Sequence, residues 1–438
     1  MANRHRAKAI GLPSCDRMAS PKVIDTLRES LRLLATRRFG TFWFASLLSS
    51  IGTWAQQVAE PWLLLSLGAS SFVIGLDSFA MSAPVWLLTL LGGALADRSD
   101  RRRVIAIFQS VQMLCPTAIV VLLDVGRIQP WMIVALSTVV GVTDALSMPS
   151  FQSIVPTIVT RDEIGRGLAL NSTQFNLSRI LGPAIAGLLM SGIGPMACFI
   201  VSAASYVPFI GVALWILPRW APSRTPVEPA AQPRSSGGVM EVLRERALRG
   251  PLLTLLVSGV FCAPLVTFSP VLVRQAFHGN VAHFSTLLAS FGAGGLLGAI
   301  VLLGIAPTVD RRRLTSGFAL GYGAVVALTA ADPWLWGMPP LLAMAGATMT
   351  ISNTAANSFL QASTSPRLLG RTVSLYMLAM RGGMSLGALL TGATVGLLGV
   401  KQALLLNGLA AVGAQLAVAW LHRIPAGAHS VQASSTSP

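Results

Sequence analysis

The sequence predicts an all-α membrane protein with about twelve transmembrane helices in two pseudo-symmetric six-helix bundles. Three observations support this fold class. Of the 438 residues, 53% are hydrophobic and only 11% are charged, whereas a soluble domain carries about 25% charged residues. Apolar runs of about 20 residues, the length that crosses a bilayer, recur along the chain. Finally, features of the first half of the sequence return in the second half.

Each apolar run is long enough for one membrane-spanning helix. A polar segment rich in Pro, Ser, Arg and Glu separates the sixth run from the seventh. The predicted spans are 41–66, 71–96, 104–124, 130–155, 167–190, 195–218, 251–274, 282–306, 314–332, 334–358, 371–394 and 401–422. The predicted parts are a basic N-terminal segment 1–40, an N-terminal bundle 41–218, a linker 219–250, a C-terminal bundle 251–422 and a tail 423–438.

The basic residues predict the orientation of the chain in the membrane. The net charge is +16, and the loops on one side carry almost all of it, since the opposite loops contain only Arg127, Arg274 and Lys401. By the positive-inside rule both termini lie in the cytoplasm, which requires an even number of spans. The basic residues form short clusters between apolar runs, so we expect a lipid bilayer around the chain and no nucleic acid as a partner.

A repeat relates the two halves. Arg166 enters the fifth predicted span and Arg371 enters the eleventh, an offset of 205 residues (371 − 166). The loop Asp97–Arg103 after the second span is echoed by Asp310–Arg313 after the eighth span, at a slightly different offset. The 205-residue offset also relates glycines within the spans, namely Gly182 to Gly387 and Gly187 to Gly392. The repeat predicts a binding site at the interface between the two bundles.

The loop after the second predicted span has the sequence G-A-L-A-D-R-S-D-R-R-R from Gly93 to Arg103. It resembles the loop motif G-x-L-a-D-R-x-G-R-R of the major facilitator superfamily of transporters. The matching residues are Gly93, Leu95, Asp97, Arg98, Arg101 and Arg102. The resemblance implies the two-bundle fold of that superfamily and transport by alternating access.

In that superfamily the aspartate of the motif contacts the N-terminal end of the eleventh helix. The helix dipole and the free N–H groups favour an anion there. The resemblance implies that Asp97 is a cytoplasmic latch that stabilises the outward-facing state, and that Gly93 lets the helices approach closely. Alternatively, the arginines of the motif only set the orientation of the chain.

The fifth predicted span contains Gly182, Pro183 and Gly187. Glycine lets a neighbouring helix pack tightly, and proline removes one backbone hydrogen bond. These residues resemble the Gly-Pro-rich motif of antiporters in the superfamily. Three segments resemble the branch of transmembrane secretion effectors, which includes enterobactin exporters, namely 52–56, Pro149 and 179–187. The resemblance covers about residues 38–422 and implies export.

Two acidic residues lie inside predicted spans, where an ionisable side chain needs a partner or a water-filled cavity. Glu60 is about two turns from the outer end of the first span, and Asp77 is about two turns into the second. The hairpin places them at similar depth, where two carboxylates can share one proton. Such a pair suits proton-coupled export or recognition of a cationic substrate. Alternatively, both lie in the headgroup layer or in a short outer loop.

Three further charges lie near the middle of predicted spans. Asp144 in the fourth and Arg179 in the fifth are at similar depth, which predicts an ion pair between them, with a structural role favoured over contact with the substrate. Arg381 in the eleventh has no acidic residue within the seventh to twelfth spans, apart from Asp332 at a boundary. We expect Arg381 to bind an anionic substrate group in the cavity, or to reach an acidic residue of the first bundle.

Nine amide side chains within the predicted spans either line a cavity or form hydrogen bonds between helices. They are Gln56, Gln57, Gln109, Gln112, Asn171, Gln174, Asn176, Asn353 and Asn357. The pattern of residues alone does not decide between these two roles.

We expect a secondary transporter that exports a small organic molecule, such as a drug-like compound, a siderophore or a metabolite, with protons as the coupling ion. A proton-coupled importer and a non-transporting sensor or scaffold are the alternatives. The sequence has no nucleophile–base set and no nucleotide-binding motif, so we expect neither an enzyme nor a cofactor. The four cysteines lack metal-ligand spacing, so we expect no metal site. The expected state is a monomer in a bacterial inner membrane.

Overall fold

A computed structural model describes residues 21–217, 237–305, 309–364 and 368–421. All elements in these ranges are helical. The helices of the first half are α1 Pro21–Leu34, α2 Arg37–Ser66, α3 Ser71–Arg98, α4 Arg101–Asp124, α5 Pro130–Ile158, α6 Ile164–Gly192 and α7 Met196–Trp215. Those of the second half are α8 Gly237–Arg244, α9 Arg246–Val257, α10 Pro264–Val271, α11 Val281–Gly304, α12 Arg311–Ala331, α13 Met338–Ser363, α14 Leu369–Met377, α15 Gly383–Leu398 and α16 Val400–Leu421.

Two of the long helical rods of the second half contain π-helical turns. The turn Ser258–Cys262 joins α9 to α10, and a second π-helical turn, Leu272–Ala276, ends that rod. The turn Leu378–Gly382 joins α14 to α15. Each predicted span therefore falls on one helix or one rod. Eight of them are long and apolar enough to cross a membrane, and the total of twelve spans stays a prediction.

Four long helices, α2, α3, α6 and α13, are not among these eight. Each contributes polar side chains to cavities between the bundles, among them Gln57, Asp77, Asn176 and Asn353.

The segments that flank the bundles contain helices of their own, and the predicted domain bounds stay a prediction. Within the predicted linker 219–250, α8 and the start of α9 are helical, and Val242 and Leu248 are buried against the second bundle. In the basic N-terminal segment, α1 packs Leu33 into the first bundle, and Glu29 forms an ion pair of 2.5 Å with Arg166 of α6. Residues 1–20, 218–236 and 422–438 lie outside the described ranges.

The apolar core shows where the two bundles meet. We call the helix ends that carry Arg37, Arg101–Arg103, Arg166, Arg311–Arg313 and Arg371 the arginine-rich end. At the opposite end a single buried cluster joins both bundles, with Trp62 of α2 stacked on Phe284 of α11 at 5.2 Å. Towards the arginine-rich end each bundle has its own cluster, and the buried members of each come from one bundle. The bundles are therefore closed against each other at the opposite end, which we call the closed end.

Two glycines of the predicted repeat make equivalent contacts at the closed end. A Cβ atom on Gly187 of α6 would lie 2.6 Å from the Ser285 carbonyl oxygen of α11. One on Gly392 of α15 would lie 2.7 Å from the Ser71 carbonyl oxygen of α3. Each bundle thus presents a glycine of its fifth helix to the second helix of the other bundle. This exchange is the two-fold relationship that the 205-residue offset implies.

Candidate functional site

Two adjoining cavities lie between the bundles. The deep cavity, nearer the closed end, has a volume of about 140 Å³. The wide cavity, nearer the arginine-rich end, has a volume of about 520 Å³. Residues common to both walls are Trp54, Gln57, Met81, Ser82 and Met384. The two cavities therefore meet halfway along the bundles.

The wide cavity extends towards the arginine-rich end. Its wall includes Leu168, Gln361 and Val373, each within about one turn of the helix end at that side. Both bundles contribute to the wall. Because the apolar cluster closes the opposite end, a molecule enters this cavity from the arginine-rich end.

The two acidic residues of the first hairpin lie together in the wall of the deep cavity. Glu60 is 2% exposed and Asp77 is 3% exposed. Gln56 donates a hydrogen bond of 2.8 Å to Glu60 and accepts one of 2.7 Å from Ser202 of α7. Both are buried within helices α2 and α3, so the alternative of an outer loop is wrong, and their depth in the membrane stays a prediction.

Asp77 has fewer partners than Glu60. Its Oδ1 atom is buried and has no hydrogen-bond partner among the described residues. Ser137 of α5 lies beside the carboxylate, and Glu60 is close enough for the two charges to interact. The two carboxylates therefore form an electrostatically linked pair at the closed end of the cavity.

The predicted ion pair between Asp144 and Arg179 is wrong. Asp144 lines the wide cavity, whereas Arg179 lines the deep one and is only 6% exposed. Arg179 Nη1 donates instead to the thioether sulfur of Met380, at 2.9 Å, and its Nε atom has no partner among the described residues. The two residues lie at similar depth along their helices, but their side chains line different cavities.

Asp144 instead pairs with Arg381 of the second bundle. The pair crosses the wide cavity between α5 and the π-helical turn Leu378–Gly382, and its side chains are 34% and 24% exposed. The guanidinium also lies over the Phe175 ring, 5.9 Å from its centre. Arg381 thus reaches an acidic residue of the first bundle, the second of its two expected arrangements. A π-helical turn is a frequent device for aiming a side chain at a functional site.

Gly182 of the fifth span and its repeat equivalent in the eleventh span, Gly387, both pack closely against neighbouring helices. A Cβ atom on Gly182 would lie 2.3 Å from Trp54 Cβ of α2, and one on Gly387 would lie 2.1 Å from the Val260 carbonyl oxygen. Pro183 lines the deep cavity next to Gly182. Close packing of α6 on α2 therefore positions Trp54 between the two cavities.

The loop motif is described only in part. α3 runs through Gly93, Asp97 and Arg98, but these side chains lie outside the described residues. Arg101 donates to the Ser153 carbonyl at 3.3 Å, and Arg102 donates to the Leu214 carbonyl at 2.8 Å. These bonds hold the start of α4 against the last turns of α5 and α7. The contact of Asp97 with the eleventh span stays a prediction.

The structure also gives Asp100 a role that the sequence analysis missed. Asp100 caps α4 by accepting from Arg102 N at 3.1 Å, and Asp310 caps α12 by accepting from Arg312 N at 2.9 Å. The echo of the loop therefore aligns Asp310 with Asp100, at an offset of 210 (310 − 100), rather than with Asp97. An aspartate directly before three arginines at a helix start is a recognisable capping signal.

The amide side chains mostly line the cavities. Gln56 bonds to Glu60 and Ser202, whereas the other eight face one of the two cavities. The sequence analysis missed the apolar part of the walls, because it considered only polar residues. Helical spacing from the polar residues could have found it, since Trp54 precedes Gln57 by three positions and Met384 follows Arg381 by three.

The chain is similar in sequence to a family of membrane proteins. The profile of a family described as transmembrane secretion effector matches residues 29–437. Macrolide efflux protein A of Streptococcus pyogenes is 22% identical, over 85% of this chain and 92% of that protein. The enterobactin exporter of Salmonella typhi is 24% identical, over 83% and 87%. The staphyloferrin A transporter of Staphylococcus aureus is 26% identical over 60% of this chain, and the match spans 66% of that protein's length.

Solved structures share the fold at low sequence identity. The nucleoside transporter NupG has a TM-score of 0.68 and 12% identity, covering 89% of this chain and all of that one. A bacterial homologue of the human lysosomal transporter Spinster, in an inward-facing and unoccupied conformation, has a TM-score of 0.67 and 15% identity, covering 88% and 96%. The helices described above therefore form the two-bundle major facilitator fold.

Proposed function

Because the chain belongs to the transmembrane secretion effector family of the major facilitator superfamily, we propose that it exports a small organic molecule in exchange for protons. The single observation that best supports this function is the cavity between the bundles, closed at one end by a shared apolar cluster. A carrier that opens to each side in turn needs such a cavity in each state. The protein is a transporter of this kind and not an enzyme.

The arginine-rich end is proposed to face the cytoplasm of a bacterial cell, with both termini on that side. This orientation follows from the distribution of basic residues. The wide cavity is then accessible from the cytoplasm, where an exporter collects its cargo. The protein acts as a monomer, because one chain supplies both walls of the cavity.

Proton coupling is proposed to use Glu60 and Asp77. Two linked carboxylates in a buried cavity can take up one proton together, because full ionisation of both is unfavourable there. An exporter that exchanges cargo for protons requires cargo and proton to alternate at one place. The pair lies in the wall of the deep cavity, which adjoins the wide cavity on the side of the closed end. This position satisfies that requirement.

The proposed cargo is a small organic molecule, and the relatives named above carry chemically different compounds. The walls suit a molecule with an apolar body, because Trp54, Met81 and Met384 line both cavities. Methionine and aromatic side chains adapt to ligands of different shape. The alternative of proton-coupled import uses the same cavity and the same acidic pair.

Transport in oriented membrane vesicles tests the proposal. The probes are erythromycin, enterobactin and ethidium, each supplied outside inverted or right-side-out vesicles that contain the protein. Export coupled to protons predicts that at least one probe accumulates in inverted vesicles with an acidic lumen, and that a protonophore abolishes the accumulation. Accumulation of a probe only in right-side-out vesicles would support import and refute export.

A further inference from the structure

The deep cavity contains a buried cation with no acidic partner. Arg179 is 6% exposed and has its Nε atom unpartnered among the described residues. Its Nη1 atom donates to Met380 Sδ, and a thioether is a weak acceptor that does not balance the charge. No ion pair joins Arg179 to Glu60 or Asp77 in the described part of the chain. A guanidinium buried in this way favours binding of an anionic group.

The same cavity contains a buried anion that is also incompletely satisfied. Asp77 is 3% exposed, and its Oδ1 atom has no hydrogen-bond partner among the described residues. Glu60 beside it is already held by Gln56. Removing a carboxylate from water is costly unless a cation or hydrogen-bond donor replaces the water. The carboxylate of Asp77 therefore favours binding of a cationic group.

The rest of the wall is apolar. Trp54, Phe291, Met349 and Met384 line the cavity in which Arg179 and Asp77 lie. Aromatic and thioether side chains can contact apolar groups of different shapes. The cavity thus combines one unsatisfied cation, one unsatisfied anion and an apolar surface.

We propose that the deep cavity binds a small zwitterion with an apolar body. Its carboxylate pairs with Arg179, its ammonium group pairs with Asp77 beside Glu60, and its body contacts the aromatic and methionine side chains. This assignment rests on the proposed function, because it takes the cavity to be the cargo site. It also replaces Arg381, which Asp144 already pairs, as the residue that binds an anionic group.

Four probes with one aromatic body test each charge separately. They are 2-naphthylalanine, its primary amide, its N-acetyl derivative and the N-acetyl amide, which are zwitterionic, cationic, anionic and neutral. Binding to the purified full-length protein in detergent is measured by naphthalene fluorescence anisotropy. The wild type is expected to bind the zwitterion about tenfold more tightly than either singly charged probe, the usual effect of one hydrogen bond to a charged group.

Substitutions then assign each preference to a residue. Arg179→Gln should abolish the preference for the zwitterion over its amide, and Asp77→Asn should abolish the preference over the N-acetyl derivative. Arg179→Lys keeps the charge and should retain part of the first preference. Arg313→Gln, at a side chain that is 89% exposed, is the matched control and should leave all four affinities unchanged.

Comparison of probes within one preparation separates binding from folding. Equal affinity of the wild type for all four probes would overturn the proposal. An unchanged preference for the zwitterion over its amide in both Arg179→Gln and Arg179→Lys would also overturn it. If Arg179→Gln does not fold, the preferences of the wild type and of Arg179→Lys still test whether Arg179 binds the carboxylate. The assay needs neither transport nor a proton gradient, so failure of export in vesicles leaves the binding result intact, and the reverse also holds.

Discussion

The Arg381 guanidinium of the second bundle is paired with the Asp144 carboxylate of the first, across the cavity between them. Both side chains are partly exposed to that cavity, at 24% and 34%. The pair therefore joins the bundles across the wide cavity, where rocking of one bundle against the other would separate its two members.

The first prediction concerns the energy of this ion pair. Arg381→Gln and Asp144→Asn should each destabilise the protein by about 1–3 kcal/mol, because each leaves one partly buried charge unpaired. The double variant should recover part of the loss, with a coupling energy of about 0.5–3 kcal/mol. Thermal unfolding in detergent measures both quantities.

The pair of Asp310 and Arg313, whose side chains are 51% and 89% exposed, is the matched control. Breaking it with Arg313→Gln, which leaves the Asp310 cap of α12 in place, should change stability by less than about 0.5 kcal/mol. Strictly additive losses for Asp144 and Arg381 would contradict a coupled pair in the folded state.

The second prediction concerns the acidic pair at the closed end. If Glu60 and Asp77 carry the proton, Glu60→Gln should flatten the pH dependence of transport, because one carboxylate alone has no acidic neighbour with which to share a proton. Transport of a responding probe is measured in vesicles between about pH 5 and 8. An unchanged pH profile in Glu60→Gln would remove this residue from coupling.

Glu163 provides the control for that experiment. The Thr160 hydroxyl, at 2.6 Å, and the Thr160 amide, at 3.1 Å, hold the pKa of this exposed carboxyl below its ordinary value. A lowered pKa means that its stabilising effect is present above the ordinary value and is lost only as the pH falls through the lowered one. Glu163 thus stays ionised over the assay range, and Glu163→Gln should leave the pH profile unchanged.

The third prediction concerns the closed end. A Cβ atom on Gly75 of α3 would lie 2.4 Å from the Ala388 carbonyl oxygen of α15. Gly75→Leu should therefore push the bundles apart there, at a cost of about 1–3 kcal/mol to the closed arrangement. Such a cost shifts a two-state equilibrium by about 5- to 150-fold towards opening at that end.

Cysteine labelling measures this opening. Phe284 is fully buried at the closed end, so Phe284→Cys in a cysteine-free background should react slowly with a membrane-impermeant maleimide. Adding Gly75→Leu should raise the reaction rate several-fold. Gly192→Leu, at a glycine of α6 with open space around it, is the control. Equal rates in both backgrounds would mean that the Gly75 contact does not hold this end closed.

The fourth prediction separates two aspartates of one loop. Asp97→Asn should impair transport and leave thermal stability unchanged, if Asp97 acts only as the latch in the other conformation. Asp100→Ala should have the converse effect, because it removes the helix cap of α4 at a cost of about 1 kcal/mol. Wild-type turnover in Asp97→Asn would refute the latch.

Sequence spacing predicted the depth of each charged residue, but depth does not decide which residues meet. Asp144 and Arg179 are at similar depth on helices that follow each other in the chain, yet they line different cavities. The partner of Asp144 is Arg381, which is 237 residues away and carried by a π-helical turn. Neither the turn nor the rotation of each helix about its axis can be derived from apolar runs.

The sequence by itself determined that the chain enters a membrane, which end carries the positive charge, and that its two halves are related. These properties depend on local hydropathy, loop charge and a fixed offset, so each can be derived from short stretches of the chain. Only the tertiary structure decided which end of the bundles is closed and that Arg381 pairs with Asp144. It also decided that Arg179 Nε and Asp77 Oδ1 lie in the wall of one cavity without a hydrogen-bond partner among the described residues. Those properties depend on contacts between helices far apart in sequence, because packing between the bundles selects the side chains that face each other.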